Sequence, residues 1–440
     1  MKEKREDETA QSAFSFIRRL ADRPRYAGTE GEREACEELF HEFRSLGCDV
    51  EKDETEYMKN EKYVIGITML VFWVFWIFIA VSWFVHPLTV AIFIGIFSLF
   101  TQKALPRIEL MLARTKSINI VASMNPEKRH RLILCGHYDS SRVMGKFAQK
   151  HLKAFMQVEP VMTLLYYMFV IVLVVKGIYT LVIDGYAFGT LIELAPRMVG
   201  PWLFFWSVYF AAYFAVMFIM TVLMSVFFSK KFSYGADDNA SGIAVMLETA
   251  RRLSNKELDL RIDFACFAAE ERGLFGSRKW VNKHIKEIDR ERTFVLNIDC
   301  VGRGDRFFVT KGLGSFFKKR SDPFLYSIIT DTLNKLGLPS EECWGGSSDH
   351  AEFIEKKFRT CAVSRCSVVK ANFATLILRK MFRIPVKNRV IPYLDWIHTE
   401  EDTVENIDEK KLSESVSVVS NFIDTLNNSI GTGTLNPSAH

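Results

Sequence analysis

Five places in this 440-residue chain carry side chains that bind metal ions or move protons. The apolar run 131–136 is followed by His137-Tyr138-Asp139, the run 262–268 by Glu270-Glu271, and the run 294–298 by Asp299. A helix start carries Asp237-Asp238, and His398 stands between Ile397 and Thr399 near the end of the chain. Taken singly, an aspartate at a helix start suits the helix dipole, and a lone histidine is an ordinary core residue. Taken together they ask for more, because two adjacent acids after an apolar strand are costly unless a cation or a proton compensates them. Oxygen and imidazole donors without thiolate suit zinc, with cobalt or manganese as substitutes in the same site. A pair of ions about 3.5–4 Å apart needs one bridging carboxylate plus further ligands for each, and the candidates supply that set with a glutamate left over. Glu270 is then the natural base, taking a proton from a water acidified by the ions and passing it to a leaving amine. Asp139, two residues beyond His137, is suited to orient the imidazole.

The elements that must position these groups follow from the pattern between them. Short apolar runs bounded by polar residues read as buried strands, with another expected at 360–364. Ile243, Met246, Leu247, Ala250 and Leu253 repeat at helical spacing, with Asp238 or Asn239 as N-cap. Such alternation predicts an α/β fold, a mixed, mostly parallel sheet flanked by helices, in which ligands gather beyond the carboxyl ends of the strands.

Composition adds a second theme. Hydrophobic residues make up 49% and charged residues 25%, a mixture of membrane-like and ordinary soluble character. Residues 63–85, 88–100, 160–183 and 201–228 are long apolar runs, and a bilayer core takes roughly 20 helical residues, so they predict four transmembrane spans in two hairpins. The expected division is residues 1–58, 105–158 and 230–426 as one enzyme domain, 59–104 and 159–229 as the hairpins, and 427–440 as a disordered tail. Lysines and arginines crowd the span ends on the enzyme side, which predicts an integral, multi-pass protein with that domain facing the cytoplasm and the bilayer as a partner. The net charge of +5 is spread without a run of like charges, which excludes a nucleic-acid arm. The eight cysteines form no Cys-x-x-Cys pair, so a thiolate metal site is not expected.

The motifs resemble the two-zinc exopeptidases, a family that includes aminopeptidase Y, bacterial leucyl aminopeptidase, glutamate carboxypeptidase and the glutaminyl cyclases. The resemblance rests, in that family's order, on Gly136-His137-Tyr138-Asp139-Ser140, Asp237-Asp238-Asn239-Ala240-Ser241-Gly242, Glu270-Glu271-Arg272-Gly273, Asn297-Ile298-Asp299, Ser348-Asp349-His350 and Ile397-His398-Thr399, with Arg23 to Glu30 similar to the family's N-terminal segment. It implies that Asp237 bridges two zinc ions, that Glu271 and His398 complete one and His137 and Asp299 the other, and that Glu270 is the general acid/base. It further implies a cis bond between Asp237 and Asp238, and makes Asp238, Ser348, Asp349 and His350 supporting residues. Two departures stand out. His137 and Asp237 lie 100 residues apart, and where some relatives place an oxyanion-binding tyrosine this chain reads Trp344-Gly345-Gly346-Ser347.

The expected function is a zinc-dependent aminopeptidase acting on peptides, including those lying on or released at a membrane. The alternatives are hydrolysis of another amide, as by a carboxypeptidase or an N-acyl amino acid amidase, and a silent membrane receptor that keeps the fold without the chemistry. A carboxypeptidase would need a basic cluster for the terminal carboxylate, for which Arg303, Arg306 and Arg365 are candidates.

Overall fold

The computed structural model describes residues 2–57, 114–146, 149–150, 228–313, 319–344, 348–370 and 390–433, with isolated residues of 92–111, 171–178 and 373–377. The chain divides into two compact units, one of Met1–Tyr57, Ala113–Met144 and Ser229–His440, the other of Met58–Leu112 and Gly145–Phe228. Among the described residues no helix is long and apolar enough to cross a membrane. The expectation of four spans is corrected on that finding, and so is the integral multi-pass localisation. The stretches named for the hairpins, 59–104 and 159–229, lie almost wholly outside the described residues. Apolar length meets the requirement for a crossing without distinguishing it from chain packed in another environment.

Within the first unit the alternation of apolar runs becomes a mixed sheet. Its strands are β1 (Asp49–Tyr57), β2 (Thr115–Met124), β3 (His130–His137), β6 (Leu260–Phe267), β7 (Thr293–Ile298), β8 (Arg306–Leu313), β10 (Ser340–Trp344) and β11 (Arg359–Lys370). They stand in the order β1-β2-β6-β3-β7-β11-β8-β10, with β12 (Val390–Tyr393) on β11 and β9 (Lys319–Arg320) on β8. The middle strands β6, β3, β7 and β11 run parallel, and antiparallel pairings flank them. A separate two-stranded ribbon joins β4 (Arg142–Met144) to β5 (Phe228–Phe232).

The central strands are apolar on both faces because both are covered. On β3, Leu132 and Leu134 enter one core while Ile133 and Cys135 enter the other, the two-residue period of a strand. The first core packs the sheet against α1 (Lys2–Leu20), α2 (Glu30–Ser45), α3 (Gly242–Leu253), α5 (Pro323–Lys335) and α7 (Glu409–Gly431), through side chains such as Phe16, Leu39, Ile243, Leu325 and Val416. The second is built on α4 (Phe275–His284) and α6 (His350–Glu355), with Trp280 and Phe353 against Phe267. Each such side chain contributes about 1.5–3 kcal/mol by leaving water. Helix α7 continues to Gly431, into the stretch expected to be a tail, because Ile430 packs on the core and the Asn427 side chain accepts the Asp259 amide at 2.8 Å.

Strands β3, β6 and β7 are parallel with β3 in the middle, so the residues following them meet at one edge of the sheet. That edge receives His137, Glu270-Glu271 and Asp299.

Helix α2 holds an ionisable group inside the fold. Thr29 caps it by accepting the Glu32 amide, and the Glu32 carboxyl reaches back to the Gly28 amide at 2.6 Å and accepts the Ser117 hydroxyl. Glu32 is 3% exposed, and burial pushes its pKa up to about 7 against the opposing pull of those two hydrogen bonds. A carboxyl raised in the folded state binds more protons there than in the unfolded chain. Its contribution is therefore complete below the unfolded value and is lost as pH rises through about 7, a change of about 3 kcal/mol. Glu32→Gln is expected to flatten this part of the profile, so that in thermal denaturation the variant gains on the wild type between about pH 5 and about pH 8. A gap that stays constant over that range contradicts the assignment.

Candidate metal centre

His137 is the last residue of β3, and the strand can approach its neighbour closely there because Gly136 has no side chain: a Cβ would lie 2.7 Å from the Ile298 carbonyl oxygen. The ring Nδ1 lies 3.1 Å from the Asp139 backbone carbonyl oxygen and donates to it, which leaves Nε2 facing the sheet edge. That Nε2 is 3.2 Å from Asp238 Oδ1 and 3.7 Å from Asp299 Oδ1. On the other side His398 Nε2 is 3.1 Å from Asp238 Oδ2 and 3.2 Å from Glu271 Oε1. The oxygens of Asp238 thus each face one imidazole. His137, Asp238 and Asp299 form one group of donor atoms within 4.8 Å of one another, Asp238, Glu271 and His398 a second, and Glu270 and Glu271 close a third with His137.

The position between the imidazoles belongs to Asp238, one residue beyond the Asp237 that the motif order implied. Asp237 accepts the Gly302 amide at 2.8 Å through Oδ1, and its backbone carbonyl accepts the Ser241 hydroxyl at 2.7 Å. The wide turn Ala236–Ser241 leaves helical geometry at Asp238 (φ −110°, ψ 88°) and Asn239 (φ −132°, ψ 42°), which turns consecutive side chains apart. The cis peptide bond is likewise Asp238–Asn239. Asn239 ties this turn to the end of β7 by donating to the Ile298 carbonyl at 2.9 Å and accepting the Cys300 amide at 3.2 Å, and its Oδ1 also takes the Gly242 amide that opens α3.

Two carboxylates act as clamps. Asp139 accepts the amides of Glu270 and Glu271 at 3.0 and 3.3 Å, so its side chain fixes the acid pair while its backbone orients His137. Asp402 does the same for Asp237 and Asp238, at 2.7 and 3.2 Å. Arg25, with no exposed surface, donates to the carbonyls of Tyr138 (2.7 Å), Leu20 (3.1 Å), Tyr234 (2.7 Å) and Gly235 (2.8 Å). One guanidinium thereby joins the segment leaving His137 to the segment entering Asp238. Burial lowers its pKa to about 10, against the attraction of Asp402, Asp139 and Asp238. Sequence reasoning passed over both Asp402 and Arg25. The available signals were an acid four residues beyond a candidate histidine and an arginine inside the N-terminal segment already noted.

The cluster fits a cation. Among the described residues Asp238 Oδ2, Glu271 Oε1 and Asp299 Oδ1 are buried with no well-aligned hydrogen bond, despite the imidazole nitrogens beside them, an arrangement whose desolvation cost a metal ion would offset. Burial, opposed by His398 and reinforced by Asp238, raises Glu271 to about 7. Burial lifts Glu270 well above the carboxylate range, opposed by His137 and reinforced by Glu271, Asp349 and Asp299. Burial also resists charging of His137 and His398, yet the carboxylates around each outweigh it and push both imidazoles well upward. Without a cation the cluster retains protons that a divalent ion would displace. Three of its segments turn through left-handed residues other than glycine, Ala269 (φ 52°), Cys300 (φ 53°) and His398 itself (φ 56°).

These groups line a cavity of about 390 Å³ with Asn297, Thr310, Cys343, Ser348, His350, Leu394 and Ile397. Asp349 is fully buried beside it. Arg303, Arg306 and Arg365 are not in its wall: Arg303 stacks on Trp396 at 3.7 Å, Arg306 pairs with Glu341 at 2.8 Å, and Arg365 pairs with Glu414 at 2.7 Å.

Residues 221–423 match the model of peptidase family M28. The aminopeptidase YwaD of Bacillus subtilis is 32% identical over 194 residues, covering 43% of this chain and 37% of that protein. A probable leucine aminopeptidase of Arthroderma benhamiae is 28% identical over 197 residues, covering 43% of this chain and 47% of its own. The chain thus spans less than half the length of these curated relatives. The crystal structure of Porphyromonas gingivalis glutaminyl cyclase superposes with a TM-score of 0.54 at 18% identity, covering 95% of this chain and 98% of that one, which is a likeness of fold. Residues 221–423, just under half of the chain, thus match the model of peptidase family M28, and they hold Asp238, Glu270, Glu271, Asp299 and His398, in keeping with the resemblance of the motif order to the two-zinc exopeptidases.

Proposed function

We propose that this protein is an aminopeptidase that removes N-terminal residues from peptides with the help of two zinc ions. The observation that carries the reading is what the cavity lacks: among the described residues its wall holds no lysine or arginine. A peptide C-terminus or an acidic side chain calls for such a basic partner, whereas a free α-amine does not. The engagement of Arg306 and Arg365 with Glu341 and Glu414 speaks in the same direction.

Asp238 would bridge the ions, His137 and Asp299 would complete one site, and Glu271 and His398 the other. When bound, the ions supply Lewis acidity and lower the pKa of the attacking water. Glu270, the carboxylate left over, takes the proton of that water and delivers it to the leaving amine nitrogen. Its burial suits the task, since a carboxylate lifted above its usual range is the stronger base toward that water. Asp139 keeps Glu270 in place through the amide it clamps.

Purified protein assayed on peptides with free and acetylated N-termini tests the reading. Hydrolysis is expected only with the free amine, to be abolished by a chelator and indifferent to amidation of the C-terminus. Turnover of acetylated peptides instead would place the enzyme among amidases or carboxypeptidases. Glu270→Gln is expected to retain zinc, measured by elemental analysis, while kcat falls about 10²–10⁴-fold; a variant near wild-type activity rules Glu270 out as the base. The two adjacent aspartates should part company: Asp238→Asn loses zinc, whereas Asp237→Asn keeps it and is only less heat-stable. Zinc loss in the second variant alone would restore the assignment to Asp237.

A further inference from the structure

His350 sits in the same cavity, yet among the described residues no hydrogen bond uses its ring. It opens α6, is 3% exposed, and neither ring nitrogen has a hydrogen-bond partner among those residues. It shares the cavity wall with Glu270, His137 and His398 but belongs to none of the groups whose donor atoms converge on a metal position. Burial lowers its pKa to about 4, against the nearby charge of Asp299, so the ring is neutral and carries one N–H donor.

Several other polar groups of the wall have contacts among the described residues. The Asn297 amide donates to Ser348 at 3.2 Å, the Thr310 hydroxyl lies 3.7 Å from the Cys343 sulfur, and the Ser364 hydroxyl is 4.0 Å from the Cys366 sulfur. The four acids accept when ionised. A buried imidazole left unpaired is unfavourable unless a ligand completes it, and the sequence offers no tyrosine in the Trp344-Gly345-Gly346-Ser347 stretch just ahead of it.

We propose that His350 is a catalytic residue that donates a hydrogen bond from its ring N–H to the oxygen of the scissile carbonyl. The inference rests on the peptidase reading above and adds to it a group that acts on the substrate rather than on the ions. As the carbonyl carbon is attacked its oxygen gains negative charge, and a neutral donor fixed beforehand by the fold strengthens its hold at that moment without reorganising.

The test compares His350→Phe and His350→Gln in the full chain, loaded with zinc, on a panel of aminoacyl p-nitroanilides, with kcat and KM separated and zinc content measured. His350→Phe is expected to lose about 10²–10³-fold in kcat with KM changed only a few-fold and zinc retained. His350→Gln, which keeps an N–H donor, is expected to recover at least about tenfold over the Phe variant. Zinc loss in both variants overturns the proposal by making His350 a ligand. So does a Phe variant within about threefold of wild-type kcat, or a Gln variant no better than Phe. A wild-type protein that cleaves no member of the panel overturns the aminopeptidase reading and this one with it, whereas failure confined to the variants overturns this one alone.

Discussion

The carboxylate of Asp238, with one oxygen against each of two imidazoles, is the contact on which the remainder of the centre depends. It places His137, from the middle of the sheet, and His398, from the far end of the sequence, on either side of a single side chain. Holding like charges and unpaired oxygens this close requires a scaffold that cannot relax, and the fold provides it with backbone hydrogen bonds. Asp139 and Asp402 each seize two consecutive amides, and Arg25 takes four carbonyls. Left-handed turns at Ala269, Cys300 and His398 persist because so many bonds fix their neighbours.

Much of this was visible in the residues alone, and the reason is local. Strands β3, β6 and β7 are buried on both faces, so their apolar runs mark them out, and the residue types just beyond each run name the sheet edge where chemistry collects. The choice between Asp237 and Asp238 was not visible, because it depends on how the turn 236–241 leaves helical geometry, and neighbouring aspartates carry no mark of which way they point. Asp402 and Arg25 escaped for a related reason. They act through backbone atoms of distant segments, so no spacing in the sequence connects them to the ligands they support. The apolar runs misled in the opposite sense, since length and hydropathy were read as spans while no described helix has the character to cross a membrane.

The wall of the cavity mixes a dense set of acids with neutral groups, among them Leu394, Ile397, Cys343 and His350.

The ribbon of β4 and β5 has a consequence for the long separation of His137 from Asp238. Because these two strands are partners, the stretches of chain that precede and follow residues 145–227 run side by side within the first unit, and neighbouring strands lie about 4.8 Å apart. The entropy of closing a loop grows only with the logarithm of its length, about 0.6 kcal/mol for each doubling, so the number of residues between the two strands has little effect on their pairing. A chain can therefore acquire, lengthen or lose material there while the geometry at the sheet edge stays as it is.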